Sequence, residues 1–224
     1  MRFDTPAPVS VLFDVPAGHL RFIATDRADT VVEVLPADAK KSRDTKAAEQ
    51  TEVHYGDGDG VLRIQGPSDT NSLIGPSGAV EITVELPAGS HVEGKAAGAE
   101  LRGVGRLGDV TFDGAQGPVE LDETAGARIT VLDGDISVGR LGGPAEISTQ
   151  KGDIRVTEAV LGTVTLRTEH GDIAVGAAPG VSASLDAGTG YGRIRNTLNN
   201  TAGAAAALAL HATTAYGDIT ARSL

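Results

Sequence analysis

The feature that most constrains this chain is a short element that recurs along it. Gly108-Asp109-Val110, Gly134-Asp135-Ile136, Gly152-Asp153-Ile154, Gly171-Asp172-Ile173 and Gly217-Asp218-Ile219 share one pattern, and Gly192-Arg193-Ile194 is a degenerate copy. Successive glycines lie 26, 18, 19, 21 and 25 residues apart. A period of about 20 residues is the length of one solenoid rung. The chain is therefore expected to be all-β, with stacked rungs through its C-terminal part.

The flanks of each copy agree with this. Ala145-Glu146-Ile147, Val164-Thr165-Leu166, Leu185-Asp186-Ala187 and Leu210-His211-Ala212 stand at the same places before their glycines. They alternate apolar and polar residues, as a half-buried strand does. The alternation resumes after the corner, with Ile136 and Val138, Ile154 and Val156, Ile173 and Val175, and Ile219 and Ala221. Each rung thus reads strand, tight Gly-Asp corner, strand, return. The glycine suits a backbone conformation closed to other residues. The aspartate is expected to accept backbone amides of the corner.

Residues 1–90 are less regular but still alternate, over Val9–Val15, His19–Ala24, Val31–Leu35, Val61–Ile64 and Val80–Leu86. This stretch is read as a strand region that begins the sheets and caps a solenoid over 91–224, within one continuous domain. Val15-Pro16-Ala17-Gly18 and Leu86-Pro87-Ala88-Gly89 each read as a strand ending in a turn. The insert Ala37–Gln50 suits a short helix in its later part, and Pro67–Gly78 reads as a loop. The alanine run before Leu210 is expected to extend a strand, because it lies in repeat register.

Composition narrows the function classes. Aromatic residues make up 3% of the chain, so the core must be built from Val, Ile, Leu and Ala. The formal net charge of -11 disfavours nucleic acid and anionic lipid surfaces. Without cysteine there is no disulfide, thiolate metal site or thiol catalysis. No apolar run reaches the roughly 18 to 20 residues of a membrane helix, so no membrane insertion is expected. Asp4 and two prolines interrupt the N-terminus before any apolar signal region forms, and a cytoplasmic location is the expectation.

Candidate chemistry is sparse. Corner aspartates at one per rung are too few for calcium, which takes six or more oxygens, so they read as turn caps. Asp57-Gly58-Asp59-Gly60 has Val61 where a third calcium ligand belongs, and reads as a hairpin loop. His19, His54, His91, His170 and His211 lack metal-site spacing. His211 is expected to face outward. Polysaccharide hydrolysis needs two carboxylates at a set separation in a groove. Only Asp133 with Asp135, and Asp122 with Glu123, are close in the solenoid. Tyr191 and Tyr216 hold equivalent places before their glycines and are expected to stack on adjacent rungs. Gly103-Val104-Gly105 and Gly188-Thr189-Gly190 are assigned to solenoid turns and not to a nucleotide fingerprint. No catalytic, cofactor or metal residue is assigned.

The Gly-Asp-Ile rungs, the early Val15-Pro16-Ala17-Gly18 and the run from Gly18-His19-Leu20-Arg21-Phe22 to Val31–Val34 resemble the bacterial putative-adhesin family. That family is of unknown function and common in actinobacteria and firmicutes. The resemblance covers nearly the whole chain. It implies stacked β-sheets and carries no catalytic residues. A non-catalytic binding or scaffold protein is the function expected, with a protein or polysaccharide partner. A polysaccharide-acting enzyme on a β-helix is the alternative. The last copy, Tyr216–Leu224, has no segment after it to cover it, which predicts homo-oligomerisation through a C-terminal rung.

Overall fold

Alternating apolar residues with almost no helical periodicity leave the chain one way to bury its side chains, which is strand upon strand. A computed structural model describes residues 1–56, 60–67 and 78–224. Strands dominate it, with one α-helix, α1 (Ser42–Gln50), in the later part of the polar insert as expected. Residues 57–59 and 68–77 lie outside the described residues, so the readings of Asp57-Gly58-Asp59 and of most of Pro67–Gly78 fall there. Two units make up the chain, Met1–Gly117 and Pro118–Leu224.

The first unit is organised around β2 (Ser10–Thr25). On one side β2 pairs in parallel with β7 (His91–Gln116), and on the other with β5 (Val61–Gln65) and β6 (Val80–Pro87). Antiparallel strands finish the edges. β3 (Asp29–Pro36) lies along β6, β1 (Arg2–Asp4) along β3, and β4 (Glu52–Gly56) along β5. Phe13 stacks near Phe22 and Phe112, with ring centroids 5.5 and 6.0 Å away, and all three are buried. Arg27 donates to Asp29 at 2.9 Å and to Glu85, which ties β3 to β6 beside the turn.

Two local expectations fail in this unit. Val15–Gly18 does not end a strand, since β2 runs straight through it. Gly18 has φ +145°, and a Cβ there would stand 1.8 Å from the Val80 carbonyl oxygen, so the glycine serves close strand approach. Likewise Gly103 and Gly105 lie inside β7 and not in turns.

The second unit is a stack of rungs with two parallel sheets. One sheet holds β10 (Ala145–Lys151), β12 (Gly162–His170), β16 (Leu208–Tyr216) and β14 (Ala183–Tyr191), adjoining the later half of β8 (Val119–Asp133). The other holds β9 (Ile136–Leu141), β11 (Ile154–Ala159), β13 (Ile173–Ala177), β17 (Ile219–Ser223) and β15 (Ile194–Thr197), adjoining the earlier half of β8. Equivalent apolar residues stack in register between the sheets. Ile136, Ile154, Ile173 and Ile219 form one buried column, and Val138, Val156, Val175 and Ala221 another. Such layers of small branched side chains explain how a core forms with so few aromatic rings.

The rungs do not stack in chain order. β16 lies between β12 and β14, and β17 lies between β13 and β15. The C-terminal rung is therefore an inner rung, contrary to the expectation that it is the exposed end. The outermost rung is the one before it in sequence, β14 with β15. The chain lays that rung one place out and then returns to fill the gap. The return, residues 198–207, includes a 3₁₀ turn at Gly203–Ala205. The alanine run is thus not strand before Leu208, because it is spent on this longer connection. Gly188 and Gly190 sit within β14 and not in a turn.

Candidate functional site

The repeated corners form ladders that run along the second unit. The amide of Asp153 donates to Asp135 Oδ1 at 2.8 Å, that of Asp172 to Asp153 Oδ1 at 2.7 Å, and that of Asp218 to Asp172 Oδ1 at 2.7 Å. The amide of Arg193 donates to Asp218 Oδ1 at 2.9 Å. Each carboxylate caps the next rung instead of its own. Gly134, Gly152, Gly171 and Gly217 stand beside these aspartates and bring the backbones close. A Cβ on Gly171 would lie 2.0 Å from the Gly152 carbonyl oxygen, so no other residue fits without moving the rung. Gly108 and Asp109 occupy a different setting inside β7, where the Asp109 amide donates to His91 Nδ1 at 3.0 Å. There a histidine takes the role that aspartate has elsewhere.

A second ladder lies inside the corner. The hydroxyls of Thr149, Thr168, Thr214 and Thr189 donate to the carbonyls of Gly134, Gly152, Gly171 and Gly217 at 3.0 to 3.2 Å. Its sequence signature is a threonine three places before the glycine in four copies, which the corner motif alone does not predict. Both ladders give the same spatial order of rungs.

At the place just before each glycine, Lys151 Nζ lies 3.4 Å from Asp133, and the column then turns aromatic. His170, Tyr216 and Tyr191 stack nearly parallel, with centroids 4.9 and 5.0 Å apart. The tyrosines stack as expected, and the histidine extends the column. His211 faces outward, 3.4 Å from Asp186. Among the described residues no three His, Cys, Asp or Glu side chains gather into a metal site. No helix among them is long and apolar enough to cross a membrane.

The ladders stop at β14–β15. Arg193 stands where an aspartate belongs, and its guanidinium donates to Asp218 Oδ2 at 3.0 and 3.2 Å. The Arg193 backbone amide, and after it this guanidinium, holds the Asp218 carboxyl below the usual range. No carboxylate is left to cap a further rung. Asn196 replaces the inward valine or alanine of the other copies. β14 and β15 each pair on one side only among the described residues. Their inner side chains Leu185 and Ala187 are only half-buried, and Ile194 and Tyr191 are 45% and 72% exposed. This open rung is the candidate interaction site.

Comparison with known proteins accords with this architecture. A solved structure of a "putative adhesin" from Bacteroides fragilis NCTC 9343 is 15% identical, with TM-score 0.55, over 99% of this chain and 95% of that one. A "putative adhesin" from Parabacteroides distasonis ATCC 8503 is 12% identical, with TM-score 0.47, over 98% and 95%. A "putative cell adhesion protein" from Clostridium sporogenes ATCC 15579 is 12% identical, with TM-score 0.42, over 100% and 98%. At these identities the first of them speaks to the fold alone. No curated protein matches the chain. The model of one family matches residues 13–223, and this β-solenoid-like chain belongs to that family, Toastrack DUF4097, whose function is unknown.

Proposed function

We propose that this chain is a non-catalytic binding and scaffold protein of the adhesin type, and that it self-associates through its open rung. The observation that carries this reading is the one-sided pairing of β14 and β15. An unpaired strand edge offers backbone donors and acceptors to any strand that fits. A single extended peptide would satisfy one of the two strands and leave the other. The same rung of a second copy offers two strands and apolar side chains at once. Charge favours this end too, because Asp186, Arg193 and Arg195 give the rung one net positive charge on a chain of net charge -11. Repulsion between copies is weakest there.

The corner carboxylates support a scaffold over an enzyme. Each spends an oxygen on a backbone amide of the next rung, whereas general acid–base catalysis needs carboxyls free to exchange protons. The contact is small. Nine residues of β14 and four of β15 fall short of the roughly 20 to 30 a side typical of stable interfaces. Association should be weak and concentration-dependent. Light scattering over a concentration series tests it, with an Ile194→Lys variant alongside. Dimers at high concentration that the variant abolishes support the proposal. A monomer throughout, or a dimer indifferent to Ile194→Lys, overturns it.

A further inference from the structure

We propose that the outer face of β11, β13, β17 and β15 is a binding groove for an acidic, carboxylated polysaccharide. In β11 and β17 buried residues alternate with residues that point away from the core, and β15, though exposed throughout, pairs in register with β17. Arg155, Ala174, Thr220 and Arg195 share one row across the four strands. Arg222 lies two residues beyond Thr220, in register with Gly176 and Thr197. A groove of about 290 Å³ runs here, with Ala174 and Gly176 in its lining and Arg155 and Arg222 on its walls.

The charges set this face apart. In the same unit, Arg128 pairs with Glu146, Arg140 with Glu158 and Arg193 with Asp218. Arg155, Arg195 and Arg222 are exposed and none forms a close ion pair among the described residues, although the charge of Arg195 acts on Asp218 after that of Arg193. The carboxylates that adjoin the groove in sequence, Glu158 and Asp218, are each held by another arginine. Three exposed guanidiniums on one face of a chain of net charge -11 mark a local reversal of sign.

The ligand class follows from spacing and shape. Strand spacing and rise place the three arginine backbones roughly 8 to 14 Å apart. Nucleic acid carries a phosphate about every 3.4 Å of strand, far denser than this. A polymer with widely spaced carboxylates fits better, and guanidinium forks bind carboxylates through paired hydrogen bonds. The lining mixes Val156, Ala174 and Val175 with Thr157 and Thr220, whose hydroxyls both donate and accept, as a hydroxyl-rich chain requires. The face shares β15 and Arg195 with the open rung, whereas Arg155 and Arg222 lie on rungs further in.

The test is titration calorimetry with oligogalacturonate, using a neutral glucan oligomer and poly-glutamate as comparisons. Circular dichroism checks that each variant folds. The wild type should bind oligogalacturonate, more weakly as salt rises. Each Arg→Gln change at 155, 195 or 222 should weaken binding about tenfold. The triple variant should show none, while Arg128→Gln with Arg140→Gln should bind like the wild type. Absence of binding to oligogalacturonate overturns the proposal, as does a triple variant that binds normally. Equal binding of poly-glutamate or of the neutral glucan overturns the polysaccharide or the charge assignment, respectively. Light scattering of the same samples reads the oligomeric state separately.

Discussion

Asp172 Oδ1 accepts the backbone amide of Asp218 at 2.7 Å, although the two residues are 46 apart in the chain. The same contact between consecutive copies spans only 18 or 19 residues. One hydrogen bond therefore records the displaced order of the rungs.

Substitutions at this corner should separate two roles. Asp172→Ala removes the acceptor and should cost about 0.5 to 2 kcal/mol, by analogy with lost helix caps. Gly171→Val should cost more, because its Cβ meets the Gly152 carbonyl oxygen at 2.0 Å while its φ is +158°. Chemical denaturation of both variants is the measurement. Equal losses would mean that the backbones can part at the corner without strain.

The threonine ladder predicts a different pattern. Thr168→Val keeps shape and removes the hydroxyl that donates to the Gly152 carbonyl at 3.0 Å. Thr168 is buried, so this should cost about 1 kcal/mol. Thr189→Val, at the less buried open rung, should cost less. A larger loss at 189 than at 168, measured by thermal melting, would contradict this gradient.

Acid should weaken the corner at the open rung. The Arg193 amide and then its guanidinium hold the Asp218 carboxyl below its ordinary value. A carboxylate with a lowered folded pKa stabilises above its unfolded value, about 3.9, and that contribution is lost as pH falls through the folded value. Asp218→Asn keeps an oxygen acceptor but cannot titrate. The melting temperature of the wild type should exceed that of Asp218→Asn at about pH 5, and the gap should close toward pH 2.5. A gap of constant size across that range would show that the charge of Asp218 contributes nothing.

The rungs themselves were legible because burial has a period of two. Ile173 and Val175, or Ile154 and Val156, announce strands wherever they stand, and the Gly-Asp pair marks where the chain bends. Their order was not legible from the same pattern. Leu185-Asp186-Ala187 and Leu210-His211-Ala212 are interchangeable as half-buried strands, so either would pair with β12. The difference lies in Arg193, which ends the carboxylate ladder, and Asn196, which is polar where its neighbours are apolar. Both suit a rung with nothing beyond it. The arginine groove was hidden for another reason, since Arg155, Arg195 and Arg222 lie on three different rungs and meet on one face only when those rungs stack in register. In the first unit, Val15–Gly18 reads as a turn because proline and glycine usually break strands. There the pairing of β2 with β6 and β7 overrides local preference.

The inserted rung also imposes a timetable. β14 and β15 lack their native neighbours until β16 and β17 arrive. A chain emerging from the ribosome can add each earlier rung to the one before it, but residues 183–197 must wait for residues 208–223 to be made. During that interval the exposed ledge is β12–β13, and the waiting segment competes for it with its own successor. Insertion of β16 and β17 is thus a closure, in which they act as a keystone. A ribosome stalled before residue 208 would leave the rung of β14 and β15 without its native partner.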